Sequence, residues 1–238
     1  MSYHAEIYKR RFASERRQAM RDVLWQVMVQ DWFSKWLKPN DSILELGAGY
    51  CLFINKVQGL RRAALDANPD TASHADEGVE FFLRNAGETK DLEASQFNVI
   101  FSSNLFEHLS DRHQLMEVVA EATRLLRPGG ILITLMPNID AVKWRFWDFV
   151  DHTLPLNPKS LTELMELNDL KVEYATGRFI PYTAEGRGIF LPKPVWRAAA
   201  KAYLRFRPLW LVAGKQMFVV ARKSAVMSAA ARSNSKKG

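Results

Sequence analysis

Short apolar segments alternate with polar, helix-like segments through the first half of the chain. The apolar segments are Ser42 to Leu46, Arg62 to Leu65, Val79 to Leu83, Phe97 to Ser102 and Ile131 to Met136. Their short length, between turns rich in Gly, Pro, Asn and Asp, predicts β-strands. Because strands that alternate with helices pair side by side in one direction, we expect an α/β fold with a mostly parallel sheet and helices on both faces.

The remaining segments extend this core into one predicted domain of residues 1–223. Helices are predicted after Gly49, from His113 to Leu126 and from Lys159 to Leu167, and further strands from Lys171 to Tyr174 and from Gln216 to Ala221. We expect an N-terminal helix at about 13–37, a core at about 40–175, a substrate or lid insertion at about 144–210, and a disordered basic tail at 224–238.

Composition excludes several classes of protein. The single cysteine, Cys51, cannot form an intramolecular disulfide, and no Cys/His group has zinc-like spacing. No apolar run approaches the roughly 18 residues that span a bilayer, and the N-terminal residues lack the apolar stretch of a signal peptide. With 47% hydrophobic and 25% charged residues, the chain can bury a core. These features predict a cytoplasmic globular protein.

A glycine-containing turn follows the first predicted strand. Gly47, Ala48 and Gly49 come directly after the acidic Glu45 and Leu46, and Asp66 ends the next strand, 19 residues after Gly47. Glycines there allow a tight turn and close approach of a ligand, and a carboxylate at the end of the second strand can accept hydrogen bonds from ribose hydroxyls. Glu45 favours a cationic nucleoside over a dinucleotide, because its negative charge gains nothing from a pyrophosphate.

Together with the segments Phe97 to Leu109 and Leu126 to Gly130, this turn resembles class I S-adenosylmethionine-dependent methyltransferases over residues 40–175. The resemblance implies a Rossmann-like seven-stranded sheet whose last strand runs antiparallel between its neighbours, and S-adenosylmethionine as the cofactor. It implies that Asp66 binds ribose, that Asn85 and Ala86 lie beside adenine, and that Ser103 and Asn104 line the cofactor floor. The predicted cofactor residues are Glu45, Gly47, Ala48, Gly49, Asp66, Ala67, Asn85, Ala86, Ser103 and Asn104. Cys51 departs from the family pattern, which has glycine there.

The same residues leave other interpretations open. The glycine turn can be ordinary strand-to-helix geometry, and Asp66 can cap the turn at Asn68 and Pro69. On that interpretation the chain is a binding module that keeps the fold without catalysis and uses its basic C-terminal part as an anchor. An NAD-linked oxidoreductase is a further alternative.

Two histidines are candidates for catalysis. Methyl transfer depends mainly on alignment, and only a hydroxyl acceptor demands a base. His108 follows the fourth strand, at the crevice side of the predicted sheet, and can alternatively cap the next helix. Asp151 precedes His152 and can orient that imidazole and raise its basicity. No pair among Glu107, His108, Asp151 and His152 has helical i, i+4 spacing, so we expect no metal.

The predicted insertion contains aromatic residues that can stack on a sugar or line an apolar pocket. These residues are Trp144, Phe146, Trp147, Phe149, Phe179 and Tyr182. Residues 144–220 resemble methyltransferases associated with bacterial surface-polysaccharide assembly, which implies a glycan hydroxyl as acceptor and His152 as the matching base. A small aromatic, lipid or quinone-like acceptor is the alternative.

Charge is distributed unevenly along the chain. Its net charge is +7, yet Gly186 to Gly238 contains twelve Lys or Arg and no Asp or Glu, so the preceding part is acidic. Lys193, Arg197, Lys201 and Arg205 recur every four residues and predict a basic helical stripe. We expect residues 193–210 to contact an anionic membrane at its inner face. The acidic body argues against nucleic acid as the partner, and the oligomeric state is left open.

Overall fold

A computed structural model of the chain describes residues 15–182 and 192–225, and in this part seven strands form one sheet. The strands are β1 Ser42–Leu46, β2 Arg61–Asp66, β3 Val79–Leu83, β4 Phe97–Ser103, β5 Leu126–Pro137, β6 Leu170–Thr176 and β7 Gln216–Lys223. Their order across the sheet is β3-β2-β1-β4-β5-β7-β6. β7 runs antiparallel to both of its neighbours, and the pairs from β3 to β5 are parallel. The predicted fold class is therefore confirmed.

Helices cover both faces of the sheet. They are α1 Glu15–Asp31, α2 Arg112–Leu125, α3 Ile139–Val142, α4 Pro158–Glu166, α5 Lys193–Arg205 and α6 Pro208–Ala213. Successive side chains of a strand point to opposite faces. Ile43 accordingly packs in the core with α1, α5 and α6, whereas Leu44 packs in the core with α2 and α4.

Two helices differ from their predicted extents. The segment after Gly49 forms successive turns rather than a helix, because Cys51 takes the left-handed conformation, with a φ of 53°. This conformation also explains why a glycine is favoured at that position. The N-terminal α-helix ends at Asp31, and a separate 3-10 helix follows at Phe33–Lys35.

β5 begins earlier than the apolar pattern indicates. Leu126 already pairs with Phe97, and the chain continues as a strand through Gly129, whose φ is 78°. The pairing with β4 shifts register between Phe97 and Val99, which accommodates the additional residues.

Three predictions about the ends of the chain and the insertion lie wholly or partly outside the described residues. These are the start of the N-terminal helix at residues 13–14, the segment 183–191 of the insertion, and residues 226–238 of the basic tail. Within residues 15–182 and 192–225, no helix combines the length and the apolar character needed to cross a bilayer.

Candidate functional site

The glycine turn is hydrogen-bonded to the end of β2. Gly47 N–H donates to the carbonyl of Leu65 at 2.8 Å, and Gly49 N–H donates to Oδ2 of Asp66 at 2.8 Å. Gly47 has a φ of 68°, and a Cβ there would lie 3.0 Å from Leu105 Cδ1. Both observations favour glycine at this position, since the conformation disfavours side chains and the space is occupied.

Asp66 lies at the crevice edge with capacity for further hydrogen bonds. Its Oδ1 accepts from Asn68 N–H at 2.8 Å and its Oδ2 accepts from Gly49. The residue is partly exposed. Because an ionised carboxylate offers about four acceptor positions, two remain for the hydroxyls of a ribose. The residues present therefore fit the predicted nucleoside.

Glu45 lies beneath the turn. It is 4% exposed, and its Oε2 accepts from Ile54 N–H at 3.0 Å. Burial raises the pKa of Glu45 to about 8; the bond from Ile54 opposes this shift, and the charge of Asp66 reinforces it. A cation near the turn would favour the ionised form of this carboxyl group.

The remaining predicted cofactor residues follow the carboxyl ends of neighbouring strands. Ala67 follows β2, and Asn85 and Ala86 follow β3, where Asn85 Nδ2 donates to Glu88 at 3.0 Å. Ser103 ends β4, and Asn104 N–H donates to the carbonyl of Leu135 at 2.9 Å. Parallel strands end at the same edge of a sheet, so the topology brings these residues to the crevice where such folds bind ligands.

Two distant segments bring Glu107, His108, Asp151 and His152 together, and we call these four residues the histidine cluster. Thr153 N–H donates to the carbonyl of Glu107 at 2.8 Å and joins the segments. The rings of His108 and His152 lie 4.9 Å apart. His108 Nδ1 lies 3.2 Å from Asp151 Oδ2 and 3.1 Å from the Asp151 carbonyl oxygen. Asp151 thus forms an ion pair with His108, and the expectation that it orients His152 stays a prediction.

Burial and neighbouring charges shift the pKa values of Glu107 and His108 in the histidine cluster. Glu107 is 1% exposed, and burial raises its pKa to about 7, although His108 opposes the shift. Burial by itself lowers the pKa of His108, but the hydrogen bond to Asp151 and the charge of Glu107 outweigh it, so the pKa of His108 is raised. Glu107 is not among the predicted catalytic residues, because no local signal in the sequence shows the burial of this residue.

The aromatic residues of the insertion divide into core and surface. Phe146 and Phe179 are fully buried, and Phe179 packs against Trp32 with ring centroids 5.1 Å apart. These two residues are therefore core residues. Trp144 and Trp147 are 73% and 57% exposed on the 3-10 helix Lys143–Asp148.

The aromatic segment also surrounds His152. The ring of Phe146 lies 4.6 Å and that of Phe149 lies 4.9 Å from the imidazole, and Phe146 contacts Trp147 at 5.0 Å. Tyr182 contacts Phe149 at 5.8 Å. The exposed indole of Trp147 is thus one ring away from His152.

The predicted basic stripe is partly occupied by contacts with α1. Arg197 donates a hydrogen bond to Gln26 Oε1, and Lys201 Nζ lies 3.5 Å from Asp31 Oδ2. These two positions of the predicted stripe are therefore partly engaged, because α5 packs against α1, and contact of residues 193–210 with an anionic membrane stays a prediction. Besides Val195 on α5, exposed apolar residues lie further along the chain, at Phe206, Leu209, Leu211 and Val212.

Part of the chain is similar to known methyltransferases. The sequence profile of the family described as "Methyltransferase domain" matches residues 44–134. A probable methyltransferase of Arabidopsis thaliana is 34% identical over 96 residues, which are 38% of this chain and 16% of that protein. A probable S-adenosylmethionine-dependent methyltransferase of Mycolicibacterium smegmatis is 33% identical over 117 residues, which are 44% of this chain and 42% of that protein. The chain thus spans less than half the length of these curated relatives.

Solved structures share the fold across nearly the whole chain. A S-adenosylmethionine-dependent methyltransferase from Archaeoglobus fulgidus superposes with a TM-score of 0.62 at 16% identity and covers 93% of this chain and 100% of its own. A possible histamine N-methyltransferase from Thermotoga maritima superposes with a TM-score of 0.60 at 18% identity, covering 92% and 96%. Residues 44–134 therefore resemble the methyltransferase domain family, and the chain shares the fold of solved structures described as S-adenosylmethionine-dependent methyltransferases.

Proposed function

We propose that this protein is a S-adenosylmethionine-dependent methyltransferase that methylates a hydroxyl group of a sugar or glycan intermediate. The assignment of the methyl donor is supported by the turn of Gly47 to Gly49, in which Gly49 is hydrogen-bonded to Asp66 at the crevice edge. Asp66 would hold the ribose, Ser103 and Asn104 would line the floor, and Glu45 would lie beneath the cationic end. The bound donor supplies an electrophilic methyl group on a sulfonium.

The paired indoles of Trp144 and Trp147 support a sugar acceptor. Residues three apart on a 3-10 helix lie on the same side of it, so the two exposed side chains can form one stacking surface. A flat indole face suits the C–H face of a sugar ring, and the hydroxyl groups of that ring remain at its edge for other contacts.

A hydroxyl acceptor has to be activated before it attacks the methyl group. The histidine cluster lies one ring from Trp147, and it supplies imidazole and carboxylate groups at the crevice side of the sheet. A basic group of this cluster would accept the proton of the acceptor hydroxyl as its oxygen attacks the methyl carbon, and the carbon–sulfur bond would break with its electron pair remaining on sulfur. Exclusion of water by the Phe146 and Phe149 rings strengthens these polar interactions.

We further propose that the acceptor is reached at an anionic membrane surface. Phe206, Leu209, Leu211 and Val212, together with Arg205 and Arg207, form what we call the α6 surface, which is apolar and basic. No acidic residue occurs from Gly186 onward to oppose the anionic lipids. Gln216, just after α6, pairs with Pro137 at the carboxyl end of β5, so the α6 surface adjoins the crevice edge of the sheet.

Titration with S-adenosylhomocysteine tests the donor site. We expect the wild-type protein to bind it and Asp66→Ala to bind it more weakly, because the ribose contacts are lost. Asp76→Ala, which removes an exposed carboxylate outside the crevice, is the matched control and should bind as the wild type does. Absence of binding by the wild-type protein would instead support a module that keeps the fold without catalysis.

Methyl transfer from labelled S-adenosylmethionine to crude glycan and lipid fractions tests the acceptor. We expect label in the glycan fraction or on lipid-linked glycans, with turnover depressed in His152→Ala and donor affinity unchanged. His113→Ala, at an exposed helical histidine, controls for removal of an imidazole. Label confined to aromatic, quinone or simple lipid products would contradict the sugar acceptor.

A further inference from the structure

Glu107, His108 and His152 each offer one atom of a type that ligates metals, and these three atoms lie within 4.8 Å of one another. Ligands of a tetrahedral ion with bonds of about 2.1 Å lie about 3.4 Å apart, so modest side-chain rotations would close the group. Although the sequence spacing gives no reason to expect a metal, we propose that these three residues bind one divalent transition-metal ion, of the kind represented by Zn²⁺. The binding site stands on the geometry alone, and only the catalytic role given to it below rests on the proposed function.

Glu107 provides a buried oxygen that the rest of the described chain leaves unsatisfied. The residue is 1% exposed, and its Oε2 has no hydrogen-bond partner among the residues that the structure describes. A buried polar atom without a partner destabilises a fold, so native structures rarely retain one without a functional reason. A cation between Glu107 and the two imidazoles would satisfy this oxygen.

Asp151 orients one of the imidazoles for ligation. His108 Nδ1 lies 3.2 Å from Asp151 Oδ2 and 3.1 Å from the Asp151 carbonyl oxygen. Because both oxygens are acceptors, Nδ1 carries the proton and donates it. The Nε2 of the same ring is then unprotonated and is the nitrogen that can bind a metal. Metal-ligating histidines usually have such a carboxylate or carbonyl partner on their other nitrogen. Asp151 is therefore a positioning residue in this site.

The donor set selects the class of ion. Two imidazole nitrogens and one carboxylate oxygen suit zinc and related transition metals, whereas Ca²⁺ and Mg²⁺ prefer oxygen ligands. Three protein ligands leave at least one coordination position for an exchangeable oxygen, as in catalytic rather than structural zinc sites.

An acceptor hydroxyl in that open position would be activated by the ion. Metal coordination lowers the pKa of the hydroxyl, so its proton leaves to water. The oxygen then forms a bond to the methyl carbon, and the carbon–sulfur bond breaks with its electron pair remaining on sulfur. The products are the methyl ether, S-adenosylhomocysteine and one proton, so no oxidant or reductant is required.

Calorimetric titration of ZnCl₂ into the chelator-treated full chain, without methyl donor, tests the site. We expect one equivalent to bind, and this binding to be lost in Glu107→Gln and in His152→Ala. Asp151→Asn should bind about 10- to 100-fold more weakly, because the orientation of His108 is relaxed. His113→Ala is the matched control: His113 and Glu117 form an exposed His–carboxylate pair at 3.6 Å outside the cluster.

Absence of one-equivalent binding in the wild-type protein overturns the inference, and so does unchanged binding in both Glu107→Gln and His152→Ala. If a variant fails to fold by circular dichroism, the visible spectrum of Co²⁺ bound to the wild-type protein decides: nitrogen and oxygen ligation in a low-symmetry site supports the inference, and a hexaaqua-like spectrum overturns it. Titration of the same metal-free protein with S-adenosylhomocysteine tests the proposed function separately. Zn²⁺ binding without nucleoside binding supports the ion site and contradicts the proposed function.

Discussion

Glu45 is a carboxylic acid buried in the first strand, where water cannot solvate its charge. Its pKa is raised from 4.5 to about 8, so the folded protein keeps a proton that the unfolded chain releases above pH 4.5. The stability contributed by the protonated form is fully present below pH 4.5 and is lost as the pH rises through about 8. Under the proposed function, a cationic ligand above Glu45 would favour its ionised form and offset this loss of stability.

Glu45→Gln is expected to remove this pH dependence. The variant should unfold at a higher temperature than the wild-type protein at pH 8.5, with a difference in unfolding free energy on the order of a few kcal/mol, and at a similar temperature at pH 4.5. Thermal unfolding followed by circular dichroism at both pH values measures this, with the exposed Glu117→Gln as control. An equal difference at the two pH values would show that the effect comes from packing and not from ionisation.

Two short helices present exposed side chains beside the crevice. The 3-10 helix Lys143–Asp148 holds Trp144 and Trp147 at the surface while burying Phe146 between them. α6 buries Trp210 and exposes the apolar side chains of the α6 surface. In both elements one aromatic residue anchors the helix in the core, and the remaining residues are available to a partner.

Trp147→Ala is expected to raise the KM for the acceptor about tenfold, because loss of one stacking contact of roughly 1.4 kcal/mol weakens acceptor binding. The kcat and the affinity for S-adenosylhomocysteine should stay the same, since the chemistry and the donor site are unaltered. Steady-state kinetics with the glycan acceptor provide the measurement. Val150→Ala, at a 77% exposed position of the same loop, is the control, and an equal rise in KM for both variants would argue against specific stacking.

The α6 surface predicts binding to anionic bilayers. The full chain should sediment with vesicles of phosphatidylglycerol and phosphatidylcholine and less with phosphatidylcholine alone, and added salt should weaken this binding. Replacing Leu211 and Val212 together by Asp should abolish it, because two charges would enter the apolar contact.

Leu60→Asp is the control for the vesicle measurement. Leu60 is 79% exposed, as Val212 is, but it precedes β2 at the opposite edge of the sheet. Sedimentation that depends equally on Leu60, or that occurs equally with neutral vesicles, would show that the α6 surface does not direct the protein to anionic lipid.

β7 lies between β5 and β6 in the sheet and pairs with both strands. Arg222 donates to both carboxylate oxygens of Glu173 on β6, at 2.6 and 2.8 Å, and Lys223 Nζ donates to the carbonyls of Thr123 and Leu126 at 2.7 Å. These bonds tie the last strand to the ends of α2 and β5. Within the described residues, the last strand of the sheet therefore ends at Lys223.

Deleting residues 224–238 is expected to leave the melting temperature unchanged within about 1 °C, because no strand or helix of the described chain extends past Lys223. A shorter chain that ends at Ala221 should melt at a lower temperature, since it also loses the contacts of Arg222 and Lys223. Calorimetry of the two truncated proteins measures both effects. A clear decrease for the first truncation would mean that the tail contributes to packing.

Local patterns determined the elements and the glycine turn. Near neighbours in the chain determine the strands, the helix of residues 112–125 and the turn at Gly47. The periodicity and backbone preferences of these neighbours can be recognised in the sequence. The antiparallel last strand and the donor followed from the resemblance of these motifs to a family. Local patterns overlooked the left-handed Cys51, because a cysteine there carries no turn signal.

Only the tertiary structure decided which polar groups meet. His108 and His152 are 44 residues apart in the chain. The ion pair of Asp151 with His108 joins the same two segments as the hydrogen bond of Thr153 to Glu107, and no spacing rule anticipates either contact. The packing of α5 on α1 likewise engages Arg197 and Lys201, which the periodic pattern placed in a basic helical stripe. Periodicity specifies which face of an element is apolar, whereas burial and electrostatic contact depend on which other elements pack against it.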